Sequence, residues 1–207
     1  MSANRPRVLN FITSNRNKLA EATAILRGCV ELRSQSVDVL EIQGTPRDIA
    51  ADKCRRAAIA VNGPALVEDT ALEFHALNGM PGPYMYVIPL LPASACLTPN
   101  RPPSRPFFSA VGNDGLRNLL AAYEDKSATS VCTLAYCRGP GEEPVIFEGR
   151  CTGTIVPPRG SNGFAYDPIF EHEGQTFAEM DPMFKNQVSD RYRALQKLRQ
   201  WLEGATD

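Results

Sequence analysis

The alternation of apolar and polar positions divides the chain into strands and helices in an α/β order. Residues 8–13 form an apolar, β-prone run that feeds a short polar turn. The spacing then predicts a helix over 18–27, with Leu19, Ala22, Ile25 and Leu26 on one face and Gly28 as its stop. Residues 30–34 alternate weakly as a second strand, and 37–43 read as an extended segment containing Glu41. A helix follows over 48–62, where Ile49, Lys53, Ala57, Ala58 and Val61 keep helical spacing before Asn62-Gly63-Pro64 ends it. Ala65-Leu66-Val67 is a short strand running into Glu68-Asp69-Thr70. Further along, the pattern predicts a helix from Asn113 to Tyr123 and two strands, 128–138 and 145–156, paired antiparallel through Gly139-Pro140-Gly141. A polar connection containing Lys185-Asn186 leads to a last helix over 189–203, with Tyr192, Leu195, Leu198 and Leu202 on one face.

One stretch breaks this regularity. Residues 78–84 form a glycine- and proline-rich turn, and 85–112 then carry Pro89, Pro92, Pro99, Pro102, Pro103 and Pro106 with no period. Proline at that density rules out a regular helix, and the stretch is long for an internal loop. It reads as an irregular insertion within a single domain spanning 1–207.

Composition narrows the class. A chain of 207 residues with 43% hydrophobic and 22% charged positions can bury a full α/β core. A formal net charge of −1 argues against nucleic acid as a partner, since neutralising phosphates along a duplex needs a basic face. A nucleotide needs only a few local cations. The six cysteines form no CxxC pair and only two histidines, His75 and His172, could join them, which favours free thiols in a reducing compartment over zinc. Residues 1–7 contain no apolar h-region and no run reaches transmembrane length, so neither secretion nor a membrane partner is expected. The cytoplasm is the expected location, with the nucleus also open.

The polar residues suggest chemistry only when taken together. Thr13, Ser14 and Asn15 lie where a strand ends and a helix begins, with Lys18 one turn inside, an arrangement that can cradle a phosphate. The same residues also describe an ordinary capped helix with a solvated lysine. Glu68 and Asp69 follow a strand, where open α/β sheets place ligands, but they equally fit a solvated turn or a helix cap. Cations at positions 18, 53, 185 and 191 suit a polyphosphate, and the acids Glu41, Glu68, Asp69 and Asp167 suit Mg²⁺ rather than zinc. A carboxylate beside such a metal could take a proton from an attacking water. The chain has no GxxxxGK[ST] loop and no GxGxxG turn, and neither histidine has an evident nucleophilic partner.

The order of these motifs resembles the inosine triphosphate pyrophosphatase family. The likeness begins with Thr13-Ser14-Asn15-Arg16-Asn17-Lys18, then Glu41-Ile42-Gln43-Gly44, Lys53-Cys54, Val67-Glu68-Asp69-Thr70 and Gly79-Met80-Pro81-Gly82-Pro83-Tyr84. It continues through Phe164-Ala165-Tyr166-Asp167-Pro168, Lys185-Asn186 and Ser189-Asp190-Arg191. The resemblance implies a central mixed, twisted sheet with flanking helices, two lobes around a deep nucleotide cleft, and a homodimer. It also implies hydrolysis of ITP, dITP and XTP to the monophosphate and pyrophosphate, with Mg²⁺, or Mn²⁺ in its place. By the same implication, residues 13–18 (Thr13, Ser14, Asn15, Arg16, Asn17, Lys18), Lys53, Asp69 and Thr70 hold the substrate. Phe164 stacks on the base beside Ala165, Tyr166 and Asp167, and Lys185, Ser189, Asp190 and Arg191 complete the contacts. Glu41, Glu68 and Asp69 ligate the metal, and Asp69 activates the water.

Two departures qualify this expectation. The family's last motif usually reads Ser-His-Arg, and here Asp190 stands in the middle, where an ionised carboxylate can only accept hydrogen bonds. The alternative role for Asp190 is to cap the last helix. After Tyr84 the family's lysine is replaced by Met85-Tyr86-Val87 and the proline-rich stretch. A catalytically weak nucleotide-binding relative is therefore the second functional reading.

Overall fold

The computed structural model describes residues 8–37, 39, 42–86 and 107–204. Glu41 and residues 87–106, most of the expected insertion, lie outside the described residues. The strands follow the order β2-β1-β3-β5-β6-β7-β8, with β4 beside β3, in a mixed sheet flanked by helices. They are β1 (Val8–Ile12), β2 (Glu31–Gln35), β3 (Ala65–Phe74), β4 (Pro81–Gly82), β5 (Ser127–Cys137), β6 (Val145–Ile155), β7 (Phe170–His172) and β8 (Gln175–Thr176). The chain divides into two compact units, the first drawn from residues 1–70, 130–151 and 181–207, the second from 71–129 and 152–180.

In the first unit, β1 pairs in parallel with both β2 and β3, so the chain must cross over between them, and helices do this. These are α1 (Arg16–Ile25) and α2 (Pro46–Val61); α4 (Pro182–Val188) and α5 (Asp190–Gly204) complete the unit. Strand periodicity sends alternate residues to opposite faces, and each face has its own core. Leu9, Phe11, Leu66, Cys132, Leu134 and Tyr136 meet Ala22, Ile25 and Leu26 of α1 and Ala194, Leu195 and Leu198 of α5. On the other face Ile12, Ala65, Val67, Ala135 and Cys137 meet Ala50, Cys54, Ala57 and Ala58 of α2. Small residues on α2 keep this second layer thin, and the Cys54 thiol donates to the Ala135 carbonyl at 3.1 Å. Burial pushes that thiol up to about 12, so it packs as a neutral apolar group.

In the second unit, β3 continues to Phe74 and turns through a short 3₁₀ segment, His75–Leu77, to pair antiparallel with β4. Asn78 takes the left-handed conformation that ends this segment. Helix α3 (Phe107–Leu119) breaks at Gly112, whose φ of 64° is open to glycine. Phe170 stacks at 4.8 Å on Phe177 and 6.3 Å on Tyr166, anchoring the β7–β8 hairpin.

Several expectations need correction. The strand ending at Val67 in fact runs to Phe74, so Glu68, Asp69 and Thr70 are strand residues and not a turn or cap. The polar connection around Lys185 is helix α4, started by Asp181, whose carboxylate accepts the Met183 amide, with proline at its first position. Residues 107–111, expected to be irregular, are helical.

Candidate active site

The turn after β1 is built from its own side chains. Asn15 caps α1, its Oδ1 accepting the Asn17 and Lys18 amides at 2.9 and 3.2 Å, and Thr13 Oγ1 accepts the Asn15 amide at 3.1 Å. The expectation that the turn presents open amides is thereby narrowed: those of Asn15, Asn17 and Lys18 are held internally. Ser14, Arg16 and Asn17 point their side chains to solvent, and Thr13 is tied to β2 through its carbonyl, which accepts the Ser34 hydroxyl at 2.9 Å. Lys18 is not a solvated lysine. Its Nζ donates to Thr70 Oγ1 at 3.1 Å and lies 3.2 Å from Glu68 Oε1.

Glu68 and Asp69 are adjacent on β3, so they project to opposite faces of the sheet. Glu68 enters the layer of α1 and α5. Its side chain is fully buried and accepts from Arg191 Nη2 at 2.8 Å and from Nε at 3.0 and 3.2 Å. Burial would raise its carboxyl, but the charges of Arg191 and Lys18 outweigh that and hold it at about 2. Burial likewise opposes the Arg191 charge, and Glu68 and Glu21 overcome it, lifting the guanidinium well above its ordinary range. Arg191 also donates from Nη1 to Glu21 Oε2, and Glu21 Oε1 accepts from the buried Lys185 at 3.2 Å. One network therefore joins α1, β3, α4 and α5 through Lys18, Glu21, Glu68, Lys185 and Arg191.

Asp69 faces α2. Its Oδ1 accepts from Lys53 Nζ at 2.7 Å, whereas Oδ2 is buried without a hydrogen-bond partner among the described residues. A buried carboxylate oxygen left without a donor is costly unless something else satisfies it.

The last motif divides between two jobs. Ser189 Oγ accepts the Tyr192 amide at 3.2 Å, so Ser189, not Asp190, caps α5. Asp190 lies buried beneath the helix start, where its carboxylate accepts from the Ser130 hydroxyl. Burial raises its carboxyl, and the Arg191 charge and the Ser130 bond only partly offset this.

Phe164, Ala165, Tyr166 and Asp167 belong to the second unit and form a loop wound around one carboxylate. Asp167 is buried, its Oδ2 accepts the Phe164 amide at 2.7 Å, and a Cβ on Gly163 would lie 2.2 Å from that oxygen. Gly163, at φ 80°, is thus required there twice over. Ala165 has φ 55° and its carbonyl accepts from Asn113 Nδ2 at 3.3 Å. Phe164 itself is half-buried.

Glu21 is the residue the sequence reading passed over. Its signal is its position one turn beyond Lys18, on the same helix face. Among the described residues no three or more histidine, cysteine or acidic side chains form a metal cluster. Glu68 is paired with two cations, Glu41 is not described, and Asp69 Oδ2 is buried with no hydrogen-bond partner among the described residues. This set suits a hard cation held by one or two carboxylates, with water and phosphate oxygens completing its shell.

Comparison with known proteins agrees with this geometry. A profile of the Ham1 family matches residues 9–201. The inosine triphosphate pyrophosphatase of Aspergillus fumigatus is 54% identical over 198 residues, covering 96% of this chain and 96% of that protein. The protein of the same name from Pyricularia oryzae is 51% identical over 202 residues, covering 97% of each chain. Among solved structures, a HAM1 protein from Coxiella burnetii superposes with a TM-score of 0.76 at 31% identity, covering 95% of this chain and 98% of that one. A Ham1 protein from Staphylococcus aureus gives 0.73 at 27%, with coverage of 95% and 98%. The chain belongs to the Ham1 family.

Proposed function

We propose that this protein hydrolyses non-standard purine nucleoside triphosphates, ITP, dITP and XTP, to the monophosphate and pyrophosphate. The reading is carried by one observation above the others: Asp69, half-buried and paired with Lys53, keeps its buried Oδ2 without a partner among the described residues, in a chain more than half identical to a protein named inosine triphosphate pyrophosphatase. In the reaction water attacks the α-phosphorus, the bond from it to the α–β bridging oxygen breaks, and pyrophosphate departs with that oxygen.

Lys18 and Lys53 flank β3 on its two faces and supply positive charge for the triphosphate. Lys18 uses two of its three donors on Thr70 and Glu68, and the third is available to a phosphate oxygen. The Ser14 hydroxyl, exposed at the head of α1, adds a donor at the positive end of the helix dipole. Asp69 Oδ2 would hold Mg²⁺, joined by Glu41, and the bound ion would neutralise phosphate charge. The proton of the attacking water is assigned in this proposal to Asp69 as well. Arg191 and Lys185 act through the Glu21–Glu68 network, which fixes the start of α5. Phe164, pinned by the Asp167 turn, is the aromatic surface proposed for the purine face. A homodimer is part of this proposal and is checked by light scattering on the purified protein.

The test is pyrophosphate release from ITP with and without Mg²⁺, using the intact chain and Asp69→Asn. Mg²⁺-dependent pyrophosphate release, reduced at least about 100-fold in the variant, is the expected result. Orthophosphate as the product, or no turnover of ITP, dITP and XTP, would overturn the assignment. The second reading, a weak relative, draws on Asp190 and the stretch after Tyr84; no observation in the described residues favours it over activity.

A further inference from the structure

Away from Asp69, the first unit carries a groove of about 580 Å³ lined by Arg47, Ile146, Phe147, Glu148, Gly149, Arg150, Arg193 and Lys197. Four of these eight residues are cations and one is an acid. They come from three elements: Arg47 from the first turn of α2, Arg150 from β6, and Arg193 and Lys197 one turn apart on α5.

Two of the cations have an evident structural task. Arg193 Nη1 donates to the Arg150 carbonyl at 2.7 Å and Lys197 Nζ to the Glu148 carbonyl at 2.6 Å, so α5 covers carbonyls of β6. Those bonds engage one donor on each side chain, and among the described residues neither side chain makes an ion pair. Glu148, 3.3 Å from Arg150, offsets a single positive charge.

Arg47 has no such task. It occupies the second position of α2, where the helix dipole is positive and disfavours a cation. It is exposed, and among the described residues it makes no ion pair or hydrogen bond. The neighbouring Asp48 carboxylate is turned to the Thr45 hydroxyl at 2.6 Å. The groove walls are fixed in place: a Cβ on Gly149 would lie 2.0 Å from the Asp190 carbonyl oxygen and 2.5 Å from the Ala194 nitrogen, so β6 and α5 touch backbone to backbone. Phe147 is buried, which leaves no aromatic face for a base.

We infer that this groove is a second anion site, distinct from the Asp69 region, which takes a polyphosphate chain and not a nucleoside. Four cations around one acid, a rigid floor and no stacking surface match a linear polyanion of two or three phosphoryl groups. Pyrophosphate, the product proposed above, has this chemistry, but the inference stands on binding alone and does not depend on turnover.

Trp201, the protein's one tryptophan, reports on the groove. It lies one turn beyond Lys197 on α5, with its ring 5.8 Å from that of Phe147 in the groove wall. The experiment titrates inorganic tripolyphosphate into the intact protein at low salt, following Trp201 fluorescence and calorimetric stoichiometry. The wild type should bind two equivalents, with the fluorescence change weakening as salt is raised. Arg47→Glu and, separately, Lys197→Gln should each weaken the fluorescence-linked equivalent at least tenfold while leaving the rate at saturating ITP unchanged. Arg47 makes no hydrogen bond or ion pair among the described residues, so Arg47→Glu tests the site without breaking a bond of the β6–α5 contact. No fluorescence-linked equivalent in the wild type, or one unaffected by Arg47→Glu, would overturn the inference. Because the readout is binding, its failure would leave the hydrolase assignment standing, and a hydrolase failure would leave the groove to be judged on its own titration.

Discussion

Replacing Glu68 with glutamine tests the electrostatic core of the first unit. Glu68 is the buried acceptor shared by Arg191 and Lys18, with Arg191 joined to it through both Nε and Nη2. A glutamine keeps the shape and one acceptor oxygen but loses the charge and sets an amide against the guanidinium. Breaking a buried pair on one side only leaves an uncompensated charge, which costs about 3–5 kcal/mol. The pH dependence gives a second figure. The carboxyl falls from 4.5 to about 2 on folding, and at about 1.4 kcal/mol per pH unit this amounts to about 3 kcal/mol. A depressed folded value means that this stability is fully present above pH 4.5 and is lost as pH falls from there towards 2. The assay is urea unfolding of chelator-treated protein across pH 2.5–7, comparing wild type with Glu68→Gln. Subtracting one curve from the other cancels carboxylates common to both. The gap should be about 3 kcal/mol or more near pH 7 and should shrink as the pH drops through the window. A gap under about 1 kcal/mol, or one that does not narrow in acid, would refute the role given to Glu68.

Other expectations follow from the same geometry. Glu21→Gln weakens the carboxylate that holds Lys185 and Arg191, and should lower kcat/KM for ITP by about 10–100-fold in steady-state assays, the range typical of residues that orient a site through others. Asp190 is buried and its carboxyl is raised, so its ionised form opposes folding as pH climbs; Asp190→Asn should therefore gain stability relative to wild type at pH 8 compared with pH 4, read by thermal melts. Gly149→Ala would place a Cβ against the α5 backbone and should cost about 1–3 kcal/mol, whereas Gly63→Ala, where the nearest atom is 3.8 Å away, should stay within about 0.5 kcal/mol; denaturant midpoints distinguish the two.

Helices α1, α2 and α5 and the strand β1 of the first unit were legible because their signals are local. Apolar periodicity on α1 and α5, the Asn62-Gly63-Pro64 stop and the β1 run all act within a few residues. Helix α4 was hidden because its seven residues expose Met183 and Phe184 and bury Lys185, the reverse of an amphipathic pattern. The far half of β3 was hidden because Glu68, Asp69 and Thr70 interrupt its apolar run. Charge at those positions is met by partners on other elements that no local pattern shows: Lys18 reaches Thr70 and Glu68, Arg191 reaches Glu68, and Lys53 reaches Asp69. Asp190 was open to two readings for a similar reason, since its partner, the Ser130 hydroxyl, lies on a distant strand.

The same long-range pairing explains why two neighbouring acids do different work. Strand geometry alone puts Glu68 with α1 and α5 and Asp69 with α2. On the first side, three donors on Arg191 and Lys18 converge on one carboxylate, so two cations already balance its charge. On the other side, among the described residues, a single lysine satisfies one oxygen of Asp69 and the second has no partner. A buried, unsatisfied carboxylate oxygen has no structural benefit and a cost of about 1–3 kcal/mol. Among the described residues two cations go to Glu68 and one to Asp69, so Asp69 Oδ2 is the oxygen whose burial cost a bound cation would relieve. The face of the sheet that each acid occupies therefore sets how many cations it meets among the described residues, two for Glu68 and one for Asp69.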